Sequence, residues 1–345
     1  MRAAVFQGRG KPHKVENVAE PVPAPREVIV KVDRCGICGS DLTMTAPRDG
    51  DSQMSPDVER LFSPGAILGH EFSGTVVALG KDVERLKVGD RVAPMFLSGC
   101  GHCVGCLSGK PNWCQGAYGK MGGYAQYATA HEQFSVRLPT VLTDDQGALI
   151  EPMATSLHAV TLAQVRPGAR ILVIGAGPIG LGIVYFLRRL GAGPIVAVTR
   201  SRRRRDTMLA MGADHFLIQG DDLAAQADDL LGGPPEIVFD AAGVPGIINQ
   251  AIACVEPTGL IVAAGMAQTP EPTHHAAAAM KEIRIQYVMS YELRDFELVC
   301  RYLIEPNSLL NRLASDWVEL DVFPDAFERL RSKSALGKVI VRPWG

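Results

Sequence analysis

The sequence predicts an α/β protein in which a β-rich region precedes a parallel sheet covered by helices, and the chain ends in a short tail. Three observations carry this expectation. From about residue 168, apolar strands alternate with amphipathic helical stretches, the pattern of βαβ units. A glycine triplet spaced G-x-G-x-x-G falls where the first of those strands gives way to a helix. Before it, about 150 residues consist of short β-branched runs broken by Gly and Pro. At 345 residues the chain is long for one core, so two domains are expected.

The elements follow in order. "EVIVKV" (27–32), "EFSGTVVALG" (71–80) and "GDRVAP" (89–94) read as strands of the first region. In the second, "ARILVIG" is followed by the helix "PIGLGIVYFLRRLGA", and "PIVAVT" by "RRRRDTMLAMGA". "EIVFDAAG" then precedes the helix "PGIINQAIACVE", and "GLIVAAG" gives a further strand. From about residue 290, "FELVCRYLIE" and "DAFERLRS" read as helices and "GKVIVRP" as a closing strand. The expected boundaries are 1–153 for the first domain, 154–289 for the dinucleotide domain, and 290–345 for a return to the first. The ligand cleft is expected between the domains.

Composition excludes several classes of function. With 47% hydrophobic residues, 21% charged residues and a net charge of −2, the chain lacks the basic excess of a nucleic-acid binder. "MRAAVFQGRGKPHKVENV" has no apolar core of a secretory signal, and no run of ~18 apolar residues would span a membrane. A cytoplasmic protein without nucleic-acid or membrane partners is expected.

Four of the eight cysteines, Cys100, Cys103, Cys106 and Cys114, crowd into "SGCGHCVGCLSGKPNWCQG" (98–116). A disulfide knot, an iron–sulfur cluster and a zinc lobe could all use this run. In a reducing compartment such spacing more often holds a metal than a disulfide. Cys254 and Cys300 lie in apolar helical patterns and read as core residues, and Cys35 as a small buried one.

The triplet in "ILVIGAGPIGLG" is Gly175, Gly177 and Gly180, with Pro178 and Ile179 in the same turn. The first glycine permits the tight turn, the second lets the backbone approach a pyrophosphate, and the third lets helix pack on strand. An acidic residue closing the next strand would hold the ribose 2′-hydroxyl of NAD. "PIVAVT" closes instead on Thr199, followed by Arg200, Ser201 and four more arginines, Arg202 to Arg205. A guanidinium can pair with a 2′-phosphate where a carboxylate would repel it, so NADP(H) is expected over NAD(H). Arg200 is the first candidate, with Thr199, Ser201 and Arg204 assisting. The other arginines read as a solvated helix start.

In the first region "RCGICGSD" (34–41), "GHEFSG" (69–74) and "LIEP" (149–152) supply Cys38, His70, Glu71 and Glu151. A catalytic zinc takes about three such ligands and keeps one position open. Together with "KVGDRV", "CGHCVGC", "GGYAQYA" and "VIGAGPIGLG", these stretches occur in an order that resembles the zinc-dependent medium-chain dehydrogenase/reductase family, the alcohol and polyol dehydrogenases. The resemblance covers essentially the whole chain. It implies a β-rich GroES-like catalytic domain with a Rossmann domain inserted before its C-terminal tail.

It further implies two zinc ions per chain. Cys100, Cys103, Cys106 and Cys114 match the family's structural zinc lobe. Cys38 and His70 match the catalytic pair, with Glu151 in third place as in sorbitol-type members and Glu71 as a neighbouring carboxylate able to bind or leave. Asp41 matches the residue that orients the histidine, and Ser40 the hydroxyl that contacts the substrate oxygen. The implied activity is reversible hydride transfer between the nicotinamide and a small alcohol, in the first place a secondary one, or the corresponding ketone. A sorbitol-type polyol enzyme and a non-catalytic NADPH-binding relative are the alternatives, and a homo-oligomer, dimer or tetramer, is expected. Three departures stand out. Thr43 occupies the place of the liver-type relay histidine. Ser290 aligns with the arginine of the sorbitol-type polyol pocket, which points away from a sugar alcohol. The stretch 45–66 is longer than usual between the two ligands and is expected to border the substrate cleft.

Overall fold

The strand Glu27–Gly36 organises the first of two units of this computed structural model, which describes residues 1–47, 56–267, 269–332 and 337–345. Its alternating valines, Val28, Val30 and Val32, are fully buried on one face, as strand periodicity requires. Antiparallel partners are Glu71–Leu79, Tyr127–His131 and Lys338–Arg342. The main sheet runs Ala314–Glu319, Lys338–Arg342, Glu27–Gly36, Glu71–Leu79, Arg91–Pro94, Ser135–Arg137. The last strand of the chain thus pairs with an early one, Ile340 opposite Gly36 and Val341 opposite Cys35. Phe6, Phe72, Tyr124, Phe323 and Phe327 fill the core beneath. This unit comprises Met1–Pro152 and Glu292–Gly345.

The second unit, Met153–Tyr291, holds six parallel strands. In space they run His215–Ile218, Ile195–Thr199, Ile171–Ile174, Ile237–Asp240, Leu260–Ala263, Arg284–Tyr287, which is third, second, first, fourth, fifth, sixth in chain order. That order defines the Rossmann fold, and its direction reverses between Ile171–Ile174 and Ile237–Asp240. The central strands are buried on both faces, so they read as unbroken apolar runs. His215–Ile218 and Arg284–Tyr287 escape the sequence reading because they are edge strands, only half-buried and correspondingly mixed in character. The helix Pro178–Arg189 opens with proline, whose missing N–H costs nothing there, and closes on Arg188 and Arg189, which suit the negative helix end.

One buried side chain gives the first unit a pH dependence. His13 is 4% exposed among the rings of Phe6, Tyr124, Phe323 and Phe327, and among the described residues neither ring nitrogen has a hydrogen-bond partner. Burial pushes its pKa down to about 4; Asp41 opposes that and Arg331 adds to it. The unfolded chain therefore binds a proton below its ordinary 6.5 that the folded chain refuses until about 4. Stability is complete above pH 6.5 and falls as the pH drops toward 4, by roughly 3 kcal/mol from this residue alone. Urea unfolding of the wild type and of His13→Leu at pH 7.5 and 4.5 checks this, the variant being expected to lose less on acidification.

Candidate functional site

Cys38 caps the helix Gly39–Met44 on leaving the strand Glu27–Gly36, and His70 precedes the strand Glu71–Leu79, so pairing of the two strands draws the residues together. Ligand atoms of Cys38, His70 and Glu71 all lie within 4.8 Å of one another. Gly36 makes room for the third of them, since a side chain there would collide with the Glu71 carboxylate. Glu151 is buried in the first turn of the helix Ile150–Ala163 and does not belong to that close set. Ser40 is exposed and donates to the Cys38 sulfur at 3.2 Å. Thr43, also exposed, spends its hydroxyl proton on the Gly39 carbonyl one turn back, at 3.0 Å.

Asp41 is fully buried, and its Oδ1 lies 3.4 Å from His70 Nδ1. Burial works against a charged imidazole, but Asp41 and Cys38 outweigh it and hold the His70 pKa well above its ordinary value. Burial and the nearby Glu71 raise the Cys38 thiol. A thiol and an imidazole that hold their protons this firmly, with a carboxylate beside them, form a donor set for a divalent cation, which would bind by displacing those protons. Because Nδ1 faces Asp41, Nε2 is the nitrogen left for a metal.

The strand Lys338–Arg342 adds a residue that the sequence reading treats only as part of a strand. Lys338 is 3% exposed, and its Nζ donates to both oxygens of Glu71, at 2.6 and 2.5 Å, and to the Ile37 carbonyl at 3.1 Å. Burial alone would strip its charge, but Glu71 holds the Lys338 pKa above its ordinary value. A lysine inside an apolar strand run was the available signal, because such a residue is rarely buried without a partner.

The four cysteines of the lobe also converge. Their sulfurs lie within 4.8 Å of one another, Cys100 and Cys106 at 4.0 Å. Four sulfurs about 2.3 Å from a tetrahedral zinc stand roughly 3.8 Å apart, so the lobe fits that ion. Backbone amides of His102 and Cys103 bring the exposed Cys100 thiol down to about 6, whereas burial pushes Cys106 up to about 12. None of the four is in a disulfide.

In the second unit the glycine turn follows the strand Ile171–Ile174. Gly175 has φ +114°, and a side chain there would come within 2.8 Å of the Ala241 backbone. One at Gly180 would meet the Gly175 carbonyl, whereas Gly177, at the N-terminus of the helix that Pro178 and Ile179 begin, faces open space where a pyrophosphate could approach. The neighbouring strand ends on Thr199, whose hydroxyl donates to the Ser201 carbonyl at 2.5 Å and accepts from the Ser201 amide at 3.3 Å. Arg200 and Ser201 are exposed, and Arg200 has no ion-pair partner among the described residues. Arg204 is partly buried and donates to the Ala176 carbonyl inside the glycine turn. Arg202, Arg203 and Arg205 are exposed. Cys35, Cys254 and Cys300 are buried. Ser290 is half-buried with φ +61°. Residues 48–55, within the long stretch 45–66, lie outside the described residues.

A Rossmann sheet, a GroES-like sheet and two clusters of candidate metal ligands define the class. The family model described as "Alcohol dehydrogenase GroES-like domain" matches residues 24–140, and "Zinc-binding dehydrogenase" matches residues 178–305. The chain belongs to the zinc-dependent medium-chain dehydrogenase/reductase family. It is 31% identical to (R,R)-butanediol dehydrogenase of Bacillus subtilis (strain 168), over 99% of this chain and 100% of that one. The crystal structure of 2R,3R-butanediol dehydrogenase from Bacillus subtilis superposes with a TM-score of 0.84 over 99% of each chain, at 30% identity. Sorbitol dehydrogenase of the same bacterium is 31% identical over 99% of this chain and 97% of its own. A zinc-binding dehydrogenase from Sinorhizobium meliloti 1021, in a structure bound to NADP, superposes with a TM-score of 0.83 at 28% identity, over 99% of each chain.

The buried Glu71–Lys338 pair yields a stability prediction. Removing one partner leaves the other charge uncompensated, so Lys338→Met should cost about 3–5 kcal/mol in metal-free protein. Adding Glu71→Leu should recover much of that loss, because no lone charge then remains. Denaturant unfolding of the two variants tests both expectations.

Proposed function

We propose that the protein is a zinc-dependent, NADP(H)-preferring alcohol dehydrogenase or carbonyl reductase acting on a small secondary alcohol or diol and the corresponding ketone. The observation that supports this most is the convergence of Cys38, His70 and Glu71 at the end of one strand and the start of another. Cys38, His70 and Glu151 hold the catalytic zinc, and Lys338 keeps Glu71 back as an exchangeable ligand by occupying both its oxygens. The lobe cysteines hold a second, structural zinc.

When bound, zinc supplies Lewis acidity to the substrate oxygen and the nicotinamide supplies or takes the hydride. The chain does the rest. Asp41 fixes the tautomer of His70. Ser40, exposed beside Cys38, hydrogen-bonds the substrate oxygen and passes its proton outward. Thr43, committed to Gly39 in the metal-free chain, must break that bond to serve as the next proton carrier. Gly177 and the helix behind it receive the pyrophosphate. The butanediol relative favours a diol and the sorbitol relative a polyol; Ser290, where sorbitol-type enzymes carry arginine, favours the former.

Cofactor choice rests on Arg200. It is exposed at the carboxyl end of its strand and is not engaged by a carboxylate, and the relative from Sinorhizobium meliloti was crystallised with NADP. A charge-assisted pair with the 2′-phosphate contributes roughly 1.5–3 kcal/mol, equivalent to about ten- to hundredfold in favour of NADP. Initial rates with NADP and NAD across diols, secondary alcohols, ketones and polyols test the reading. Arg200→Ala should raise KM for NADPH and leave that for NADH nearly unchanged; equal efficiency with both cofactors in the wild type would refute the preference.

Metal content gives an independent check. Elemental analysis should find two zinc ions per chain in the wild type. Cys103→Ser should lower Tm and leave the catalytic zinc in place, whereas Glu151→Gln should lose the catalytic zinc more readily than Glu71→Gln does.

A further inference from the structure

The two oxygens of the buried Asp41 carboxylate are held unequally, and among the described residues only Oδ2 has a hydrogen-bond partner. Oδ1 lies 3.4 Å from His70 Nδ1, and Oδ2 accepts from the Tyr124 hydroxyl at 2.5 Å. Tyr124 is itself fully buried, in the segment just before the strand Tyr127–His131. It is also tied to the chain that leads into His70. Its amide donates to the Leu68 carbonyl at 3.0 Å, and its ring covers Gly69, where a side chain would lie 2.7 Å from the ring and φ is +89°. Phe323 packs against the Tyr124 ring at a 45° tilt, centroid to centroid at 4.5 Å, with His13 and Phe327 each 6.5 Å away. One side chain therefore clamps the helix that follows Cys38 to the turn that carries His70, inside an apolar enclosure.

We infer that Tyr124 is a positioning residue for the metal site. It rests on the reading that Cys38 and His70 hold the catalytic zinc. Without the Tyr124 hydroxyl neither oxygen of this buried carboxylate would be hydrogen-bonded, and the group would rotate, or recruit His70 in a different geometry, to satisfy them. The Tyr124 hydroxyl removes that freedom by engaging Oδ2. Oδ1 is then held toward His70 Nδ1, the proton stays on Nδ1, and Nε2 keeps its direction toward the metal. The aromatic enclosure keeps water from replacing the hydroxyl.

The test uses zinc-loaded wild type and Tyr124→Phe, which retains the ring and its packing. Zinc transfer to a chromophoric chelator is followed at both sites. The catalytic zinc of the variant should bind roughly tenfold more weakly, within the range of lost outer partners of metal-bound histidine. The zinc of the cysteine lobe should be unchanged and reports that the variant is folded. In an Asp41→Asn background, Tyr124→Phe should weaken zinc no further, since its effect passes through the carboxylate. Equal affinity in wild type and Tyr124→Phe would overturn the inference. So would an equal loss in both backgrounds, which would mark a purely packing role. A wild type that releases only the lobe's zinc would instead overturn the underlying assignment of the catalytic site, and the inference with it.

Discussion

The buried pair between Glu71 and Lys338 joins two residues separated by 267 positions in the chain. Much of the first unit depends on it. A lysine at 3% exposure and a carboxylate at 1% can be buried only together, because either charge alone would carry a desolvation penalty of several kcal/mol. Their meeting requires that the last strand of the chain lie against Glu27–Gly36, beside the strand that begins at Glu71. The same pairing fixes Gly36 under the carboxylate and places Cys38 and His70 within reach of one ion. The chain's return after its Rossmann unit therefore helps to assemble the candidate metal site.

The two metal constellations are built on different physical terms. The lobe gathers its sulfurs within fifteen residues, so local turns suffice. The other set is assembled from separate strands, with each donor held from behind. Asp41 stands behind His70, and Lys338 behind Glu71. These supports differ in kind. Asp41 acts through the orientation of a ring, whereas Lys338 competes for the oxygens themselves. A carboxylate engaged by an ammonium is a weaker ligand, which supports the exchangeable role proposed for Glu71.

The nucleotide-binding unit shows a comparable division of labour among the arginines. Arg204 is turned inward to the Ala176 carbonyl and stiffens the glycine turn. Arg200, four residues earlier, is exposed. Sequence singles out Arg204 from the run Arg202 to Arg205 only as a helper of Arg200. Only the fold shows that one of its members serves the turn while its neighbours face solvent.

The sequence by itself determined the fold class and the family, and it named the candidate donors. Glycine spacing, β-branched runs and the cysteine cluster are local patterns, and local patterns survive in one dimension. The central strands were legible because burial on both faces demands unbroken apolar runs; the edge strands His215–Ile218 and Arg284–Tyr287 were not, because half-exposed residues carry no such signature. Tertiary structure alone decided which carboxylate joins Cys38 and His70 in the close set, that Lys338 engages it, that Tyr124 engages Asp41, and that His13 packs on the Tyr124 ring. Each of these three touches residues far from it in sequence, and each reads in isolation as an ordinary strand or core residue. Their roles come from the desolvation of charges and polar atoms brought together by strand pairing, and that energy has no counterpart in the linear chain.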